Sequence, residues 1–252
     1  MSVGARIGAR VGANIGARIH SGYGVALPVP THVVTSAVQT GAAALDMTAV
    51  MPAHQAGDLI VLQVDNNDAT ARVAATLSTP GNFTALAGGA IASGTFGGIF
   101  NFTTVFVCVA ASGSETPPVV AANGAWSAAV MHVFRGAAPV GAIEAVQTTA
   151  DNSGDLTLSM TGVTTLGANR LVVGLCTAFS FGLPATLGSL ANTDLTNFQT
   201  RHSAAQFVGG EDLYMVAITG TRAANGVVGA TTGTWADATG VVSSAVVFAI
   251  KP

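Results

Sequence analysis

Gly57-Asp58-Leu59-Ile60-Val61-Leu62 is met again, altered, as Asn169-Arg170-Leu171-Val172-Val173-Gly174. Each stretch opens on residues that suit a tight turn and runs into a short block of Leu, Ile and Val. A block of that length between turn formers marks a buried strand. Working outward, the same reading gives strands at Leu59 to Val64, Thr103 to Ala110, Ala128 to Phe134, Leu171 to Thr177, Leu213 to Thr219 and Val241 to Ile250. Val, Ile, Thr and Phe dominate them, which suits a pleated, packed surface. Gly, Asn, Ser and Pro fill the intervals. Ala37 to Val50 reads either as a short helix or as an edge strand.

The echo extends along the chain. Pro80-Gly81-Asn82-Phe83 resembles Leu195-Thr196-Asn197-Phe198, Val105-Phe106-Val107-Cys108-Val109 resembles Leu213-Tyr214-Met215-Val216-Ala217, and Gly124-Ala125-Trp126 resembles Gly233-Thr234-Trp235. The order is kept and the offset stays near 110 residues, too long for a solenoid repeat. One four-strand sheet cannot bury both its apolar face and its edges, whereas two copies packed face to face can. The expectation is all-β: a jelly-roll-type β-sandwich of two pseudo-repeated four-strand halves, about 45–137 and 155–252, within a domain over 25–252. Trp126, Trp235, Phe134 and Phe248 are its expected core aromatics.

Charged residues are only 8% of the 252, against roughly 25% in an ordinary domain. Hydrophobic residues are 50%, which argues against disorder across the chain. No stretch reaches the roughly 18 unbroken apolar residues of a membrane helix. The first residues lack the continuous apolar stretch of a secretory signal, because Arg6, Arg10 and Arg18 interrupt them. Cys108 and Cys176 sit in apolar runs and read as buried free thiols, although spacing leaves a disulfide open.

Those arginines belong to a four-residue repeat over 1–24: Gly4-Ala5-Arg6-Ile7, Gly8-Ala9-Arg10-Val11, Gly12-Ala13-Asn14-Ile15 and Gly16-Ala17-Arg18-Ile19. The arm carries +3 and the rest of the chain −6. Recurrent Gly makes an isolated helix unfavourable, and the arm cannot bury its apolar positions alone. Arg6, Ile7, Arg10, Val11, Ile15, Arg18 and Ile19 are therefore expected to dock on other chains. Three cations are too few for nucleic-acid binding by themselves, so an acidic protein surface is the expected partner. Residues 20–31, with Gly22, Gly24, Pro28 and Pro30, read as a linker.

The residues announce no chemistry. There is no nucleophile elbow, and no phosphate loop ends in Lys-Ser or Lys-Thr. His20, His32, His54, His132 and His202 are scattered without metal-ligand spacing. His132 is in phase with Trp126 and Phe134 and reads as a core or interface residue. Asp65-Asn66-Asn67-Asp68 reads as a turn after a strand, with Ca²⁺ binding the less favoured alternative. No cofactor is expected.

The pattern Pro52…Gly57-Asp58-Leu59-Ile60-Val61, then Pro80-Gly81-Asn82-Phe83-Thr84, then Trp126 leading to Phe134-Arg135-Gly136-Ala137 resembles a group of tailed-phage virion proteins. It covers about residues 50–250, with Asn82-Phe83 where the family often has Gly-Trp. The resemblance implies a non-enzymatic virion component, a head decoration, fibre or tail protein. It implies a homo-oligomer, commonly a trimer, and carries no catalytic residues over. The alternative is a module that binds a carbohydrate or host receptor through residues 84–101 and 178–210, read as long loops that present aromatics.

Overall fold

The computed structural model describes residues 27–42, 45–68, 73–122, 126–152, 154–180, 187–208, 211–236 and 240–252. Among these every regular element is a strand. The first half of the chain contains β1 (Thr31–Thr35), β2 (Gln39–Ala42), β3 (Met47–Thr48), β4 (Leu59–Asp68), β5 (Leu77–Thr79), β6 (Thr84–Phe96), β7 (Ile99–Val109), β8 (Val119–Val120) and β9 (Trp126–Arg135). The second contains β10 (Ile143–Asp151), β11 (Thr157–Met160), β12 (Thr164–Thr165), β13 (Arg170–Ser180), β14 (Thr196–Val208), β15 (Glu211–Arg222), β16 (Gly226–Val227), β17 (Thr231–Thr234) and β18 (Val242–Ile250). The six strands read from the sequence fall on β4, β7, β9, β13, β15 and β18. Among its described residues, Ala37 to Val50 contributes β2 and β3 and no helix.

One main sheet runs β1-β9-β4-β7-β6, with β2 also on β9, and the other runs β10-β18-β13-β15-β14. A small sheet, β3-β8-β5, belongs to the first half, and the pair β11-β17 to the second. The bridges Leu187 to Trp235 and Ala191 to Thr232 extend that pair. With β2, β12 and β16 left out, and the bridged stretch 187–191 counted as a strand, each half has eight strands; both main sheets then run first-eighth-third-sixth-fifth and both small sheets second-seventh-fourth. Equivalent strands lie about 112 residues apart.

Four layers result, and they explain the unbroken apolar runs. Along β4, Ile60, Leu62 and Val64 face the small sheet and pack with Met47, Phe83 and Val120. The alternate residues Leu59 and Val61 face the other main sheet and pack with Phe134, Leu175 and Phe248. A strand buried on both faces has no polar alternation to show. Each fully buried Leu or Phe side chain contributes about 1.5–3 kcal/mol. Within the central layer β6 lies against β10 and β18, while Ala128 and Val130 of β9 pack with Leu213 and Met215 of β15. The copies thus meet in opposite strand order, about a pseudo-dyad between β4 and β13.

Several local readings change. Asp65, Asn66, Asn67 and Asp68 are the last residues of β4, not a turn; the polar run continues the strand because β7 and β9 hydrogen-bond to both sides of it. Residues 84–101, read as a long loop, hold β6 and the start of β7, and 178–210 hold the end of β13 and β14, with 187–195 between strands. The pairing also moves the echo. Leu59 pairs with Val109 and Phe134, and Leu171 with Thr221 and Ile250. Val105 therefore corresponds to Ala217 and Trp126 to Val242, while Thr84 opposite Val107 and Gln199 opposite Thr219 keep Phe83 matched to Phe198. Trp126 starts β9 half-buried, whereas Trp235 is buried with its ring 5.0 Å from Tyr214, edge to face. Phe134 and Phe248 are fully buried between the main sheets.

Candidate functional site between the two copies

The central layer is not apolar throughout. Between its two apolar clusters runs a buried band of Gln63 and Asp65 on β4, Asn101 and Thr103 on β7, Thr177 on β13 and Ser244 on β18. The hydroxyl oxygens of Thr103, Thr177 and Ser244 lie 2.6, 2.7 and 3.3 Å apart pairwise. Thr177 donates to Asn101 Oδ1 at 2.6 Å, and Gln63 Nε2 donates across the layer to the Cys176 carbonyl at 2.8 Å. Asp65 Oδ1 and both polar atoms of the Asn67 side chain are buried without a partner. Burial pushes the Asp65 carboxyl well above the usual carboxylate range, against hydrogen bonds from Thr177 and Phe102. The band stitches the copies together; sealed from solvent, it offers no room for a substrate.

A row of histidines leads from this band toward solvent. His132 Nε2 lies 3.4 Å from Gln63 Oε1, and its Nδ1 lies 3.0 Å from Thr35 Oγ1. Thr35 Oγ1 in turn lies 2.9 Å from His32 Nε2. One set of neutral tautomers satisfies every link: His32 donates to Thr35, Thr35 to His132, and His132 to Gln63. The His202 ring stands 6.3 Å from that of His132. Burial pulls the His132 imidazole down to about 3, helped by His202 and His32. His32 is pulled down to about 4, by burial first and then by the Arg201 guanidinium.

The row opens into a cleft of about 460 Å³ between β1 and β14, the edge strands of the two main sheets. Its polar wall is Thr31, His32, Asn197, Gln199, Arg201 and Thr221. Val29, Pro30 and Leu171 complete it. Three β-bulges surround it: β1 carries an extra residue between His32 and Val34, and β14 one between Thr196 and Gln199 and another between Thr200 and His202. Bulges re-aim side chains and gather at functional sites. Asn197 adopts φ +50° at the second of these, a conformation Asn tolerates better than most residues. Arg201 donates Nε to Thr219 Oγ1 at 2.7 Å. Among the described residues it pairs with no carboxylate, and burial lowers its pKa.

The other residues singled out from the sequence are dispersed. The arm residues Arg6, Ile7, Arg10, Val11, Ile15, Arg18 and Ile19 lie outside the described residues. Trp126, Trp235, Phe134 and Phe248 are in the packing just described. Cys108 and Cys176 are free and buried, and burial raises both thiols, Cys108 to about 11. Among the described residues no cluster of His, Cys, Asp or Glu could hold a metal ion. Reading 178–210 as a loop hid Asn197, Gln199 and Arg201. Their spacing of two was the available signal, since alternate residues of a strand share a face.

Asp58 and Arg135, from the phage-like pattern, form a two-pronged ion pair at 2.9 and 2.8 Å that ties the start of β4 to the end of β9. In the second copy Arg170 takes the place of Asp58 and pairs with Glu144 at 2.8 Å. Against known protein families, curated protein sequences and solved structures, the chain finds no match.

Proposed function

We propose that the chain is a non-enzymatic structural component of a tailed-phage virion, oligomeric with a trimer favoured, docked on the particle by its arm over 1–24. It serves as a head decoration, a fibre or a tail protein. The observation that carries this reading is the use to which the phage-like pattern is put. Asp58 and Arg135 close one strand onto another, and the buried titratable groups of the central band serve cohesion between the copies. We read each copy as a jelly-roll-type unit, on the support of the strand order first-eighth-third-sixth over second-seventh-fourth, with the fifth strand moved beside the sixth. The low charge of the body leaves uncharged surface for subunit packing, and the arm's cations complement an acidic partner.

The test compares the full chain with one starting at Val25, measuring solution mass and binding to particles that lack the protein. Loss of assembly or particle binding from a folded, truncated chain is the expected result. Truncation without effect on either removes the docking role of the arm. The second reading is a carbohydrate- or receptor-binding module, of whose two proposed loops 84–101 lies in β6 and β7 and 178–210 lies partly in β13 and β14. The cleft between β1 and β14 is the observation that favours it.

A further inference from the structure

We infer that the cleft between β1 and β14 is a binding site for an acidic monosaccharide unit, with Arg201 receiving its carboxylate. This rests on the second reading above and is independent of the phage assignment. The duplication supplies a comparison within the molecule. The pseudo-dyad that sets β1 beside β14 also sets β10 beside β6, and a sister cleft of about 300 Å³ lies there. Leu59 and Ile143 line it where Leu171 and Thr31 line the first, and Val109 lines it where Thr221 does. The remainder of the sister wall includes Leu86, Val107 and Cys108, and it contains no charged or imidazole group. The architecture therefore forms the second cleft with no charged side chain in its wall, although Lys251 Nζ stands beside its residue Gly141. Arg201, His32 and Gln199 in the first are not required by the fold.

Their chemistry describes the ligand. A half-buried guanidinium whose Nε is occupied by Thr219 keeps its two terminal nitrogens, which suit a carboxylate. The amides of Asn197 and Gln199 and the hydroxyls of Thr31 and Thr221 both donate and accept, as neighbouring sugar hydroxyls require. Val29, Pro30 and Leu171 offer an apolar patch to the ring carbons. The volume lies in the range of small-molecule sites. His32 is neutral at pH 7 beside Arg201, with His132 and Thr35 as its other polar neighbours and no carboxylate in contact among the described residues. A bound carboxylate brings the missing negative charge.

The experiment is titration of the full chain with D-glucuronate, N-acetylneuraminate, D-glucose and acetate, followed by calorimetry and by the His32 imidazole resonance. At least one acidic sugar is expected to bind at least tenfold tighter than glucose and acetate and to raise the His32 titration midpoint. Arg201→Gln is expected to weaken that binding at least tenfold. Because Arg201 also holds Thr219, Gln199→Leu serves as a second variant with an expected severalfold loss. Glucose binding as tightly as the acidic sugars overturns the role of Arg201 while leaving a saccharide site. Acetate binding as tightly overturns the saccharide. Absence of binding by all four at tens of millimolar overturns both this inference and the carbohydrate reading beneath it.

Discussion

His132 and Asp65 are buried in the same layer and answer pH with opposite signs. His132 is held at about 3 by burial, while an unfolded imidazole titrates near 6.5. Above about pH 6.5 neither state carries the proton, and the stability is intact. Below it the unfolded chain takes up a proton that the folded chain refuses, at about 1.4 kcal/mol per pH unit for each such group. Stability should fall as pH drops from 6.5 toward 3, with His32 adding to the slope down to about 4. His132→Phe, which copies the residue at the equivalent place in the second half, Phe248, should flatten that limb by one proton in urea melts from pH 8 to 4. Asp65 behaves in reverse: its carboxyl keeps its proton well above the usual range. Its contribution is whole below about pH 3.8 and is lost as pH rises toward its raised folded value. Asp65→Asn should therefore stabilise the protein at pH 7 by about 1–3 kcal/mol and steepen the net rise of stability with pH. A loss of stability at pH 7 would mean that the carboxylate is paired in a way this geometry lacks.

Among the elements, the turn before the third strand of each copy shows how far the sequence could be read. Gly57 sits at φ +85° and Asn169 at φ +57°, and each donates its N–H to a carbonyl beyond the sixth strand, Ala110 and Ala223. The left-handed region costs an ordinary side chain about 1–2 kcal/mol and costs Gly nothing. Asn169→Ala should lose about 1 kcal/mol, while Asn169→Gly should stay within a few tenths, apart from the Asn169 Nδ2 bond to the Leu27 carbonyl. Thermal melts of the two variants check this. The Gly57 and Asn169 turns were legible because a turn former abutting an apolar run is a local signal. The six apolar strands were legible for the same reason. β6 and β14 were not, because Leu86-Ala87-Gly88-Gly89 in β6, and Asn197-Phe198 and Arg201 in β14, interrupt their pairing with bulges and dilute the pattern. The echo sets Val105 four residues out of its structural register, which preserves each side chain's face because the strand period is two. Asp65 to Asp68 misled because composition marks a turn and only the neighbours β7 and β9 make it a strand. The cleft is assembled by His32 and Arg201 from opposite copies, a proximity that no spacing along the chain encodes.

For the whole molecule, the pseudo-dyad makes each copy the cover of the other. The small sheets shield only the outer faces of the main sheets. Without its partner, the first copy would expose Leu59, Val61, Val105 and Phe134, and the second Leu175, Val246 and Phe248. The polar band would also trade its inter-copy bonds for water. Neither copy has a second place to bury that face, so the two should unfold together although each has its own outer core. The two tryptophans allow the test, because Trp126 belongs to the first copy and Trp235 to the second. In a Trp235→Phe chain only Trp126 fluoresces, and in a Trp126→Phe chain only Trp235 does. Their urea transitions should coincide once each is referred to its own background, as a two-state system requires. Phe248→Ala, which removes a fully buried ring from the central layer, should cost about 3–5 kcal/mol and shift both transitions equally. A shift seen by Trp235 alone would make the copies independent domains that merely touch, and the cleft between β1 and β14 would then open with their relative motion. Coincident shifts mean that the cleft is as rigid as the layer beneath it, which is the condition for a site whose two walls come from different halves of the chain.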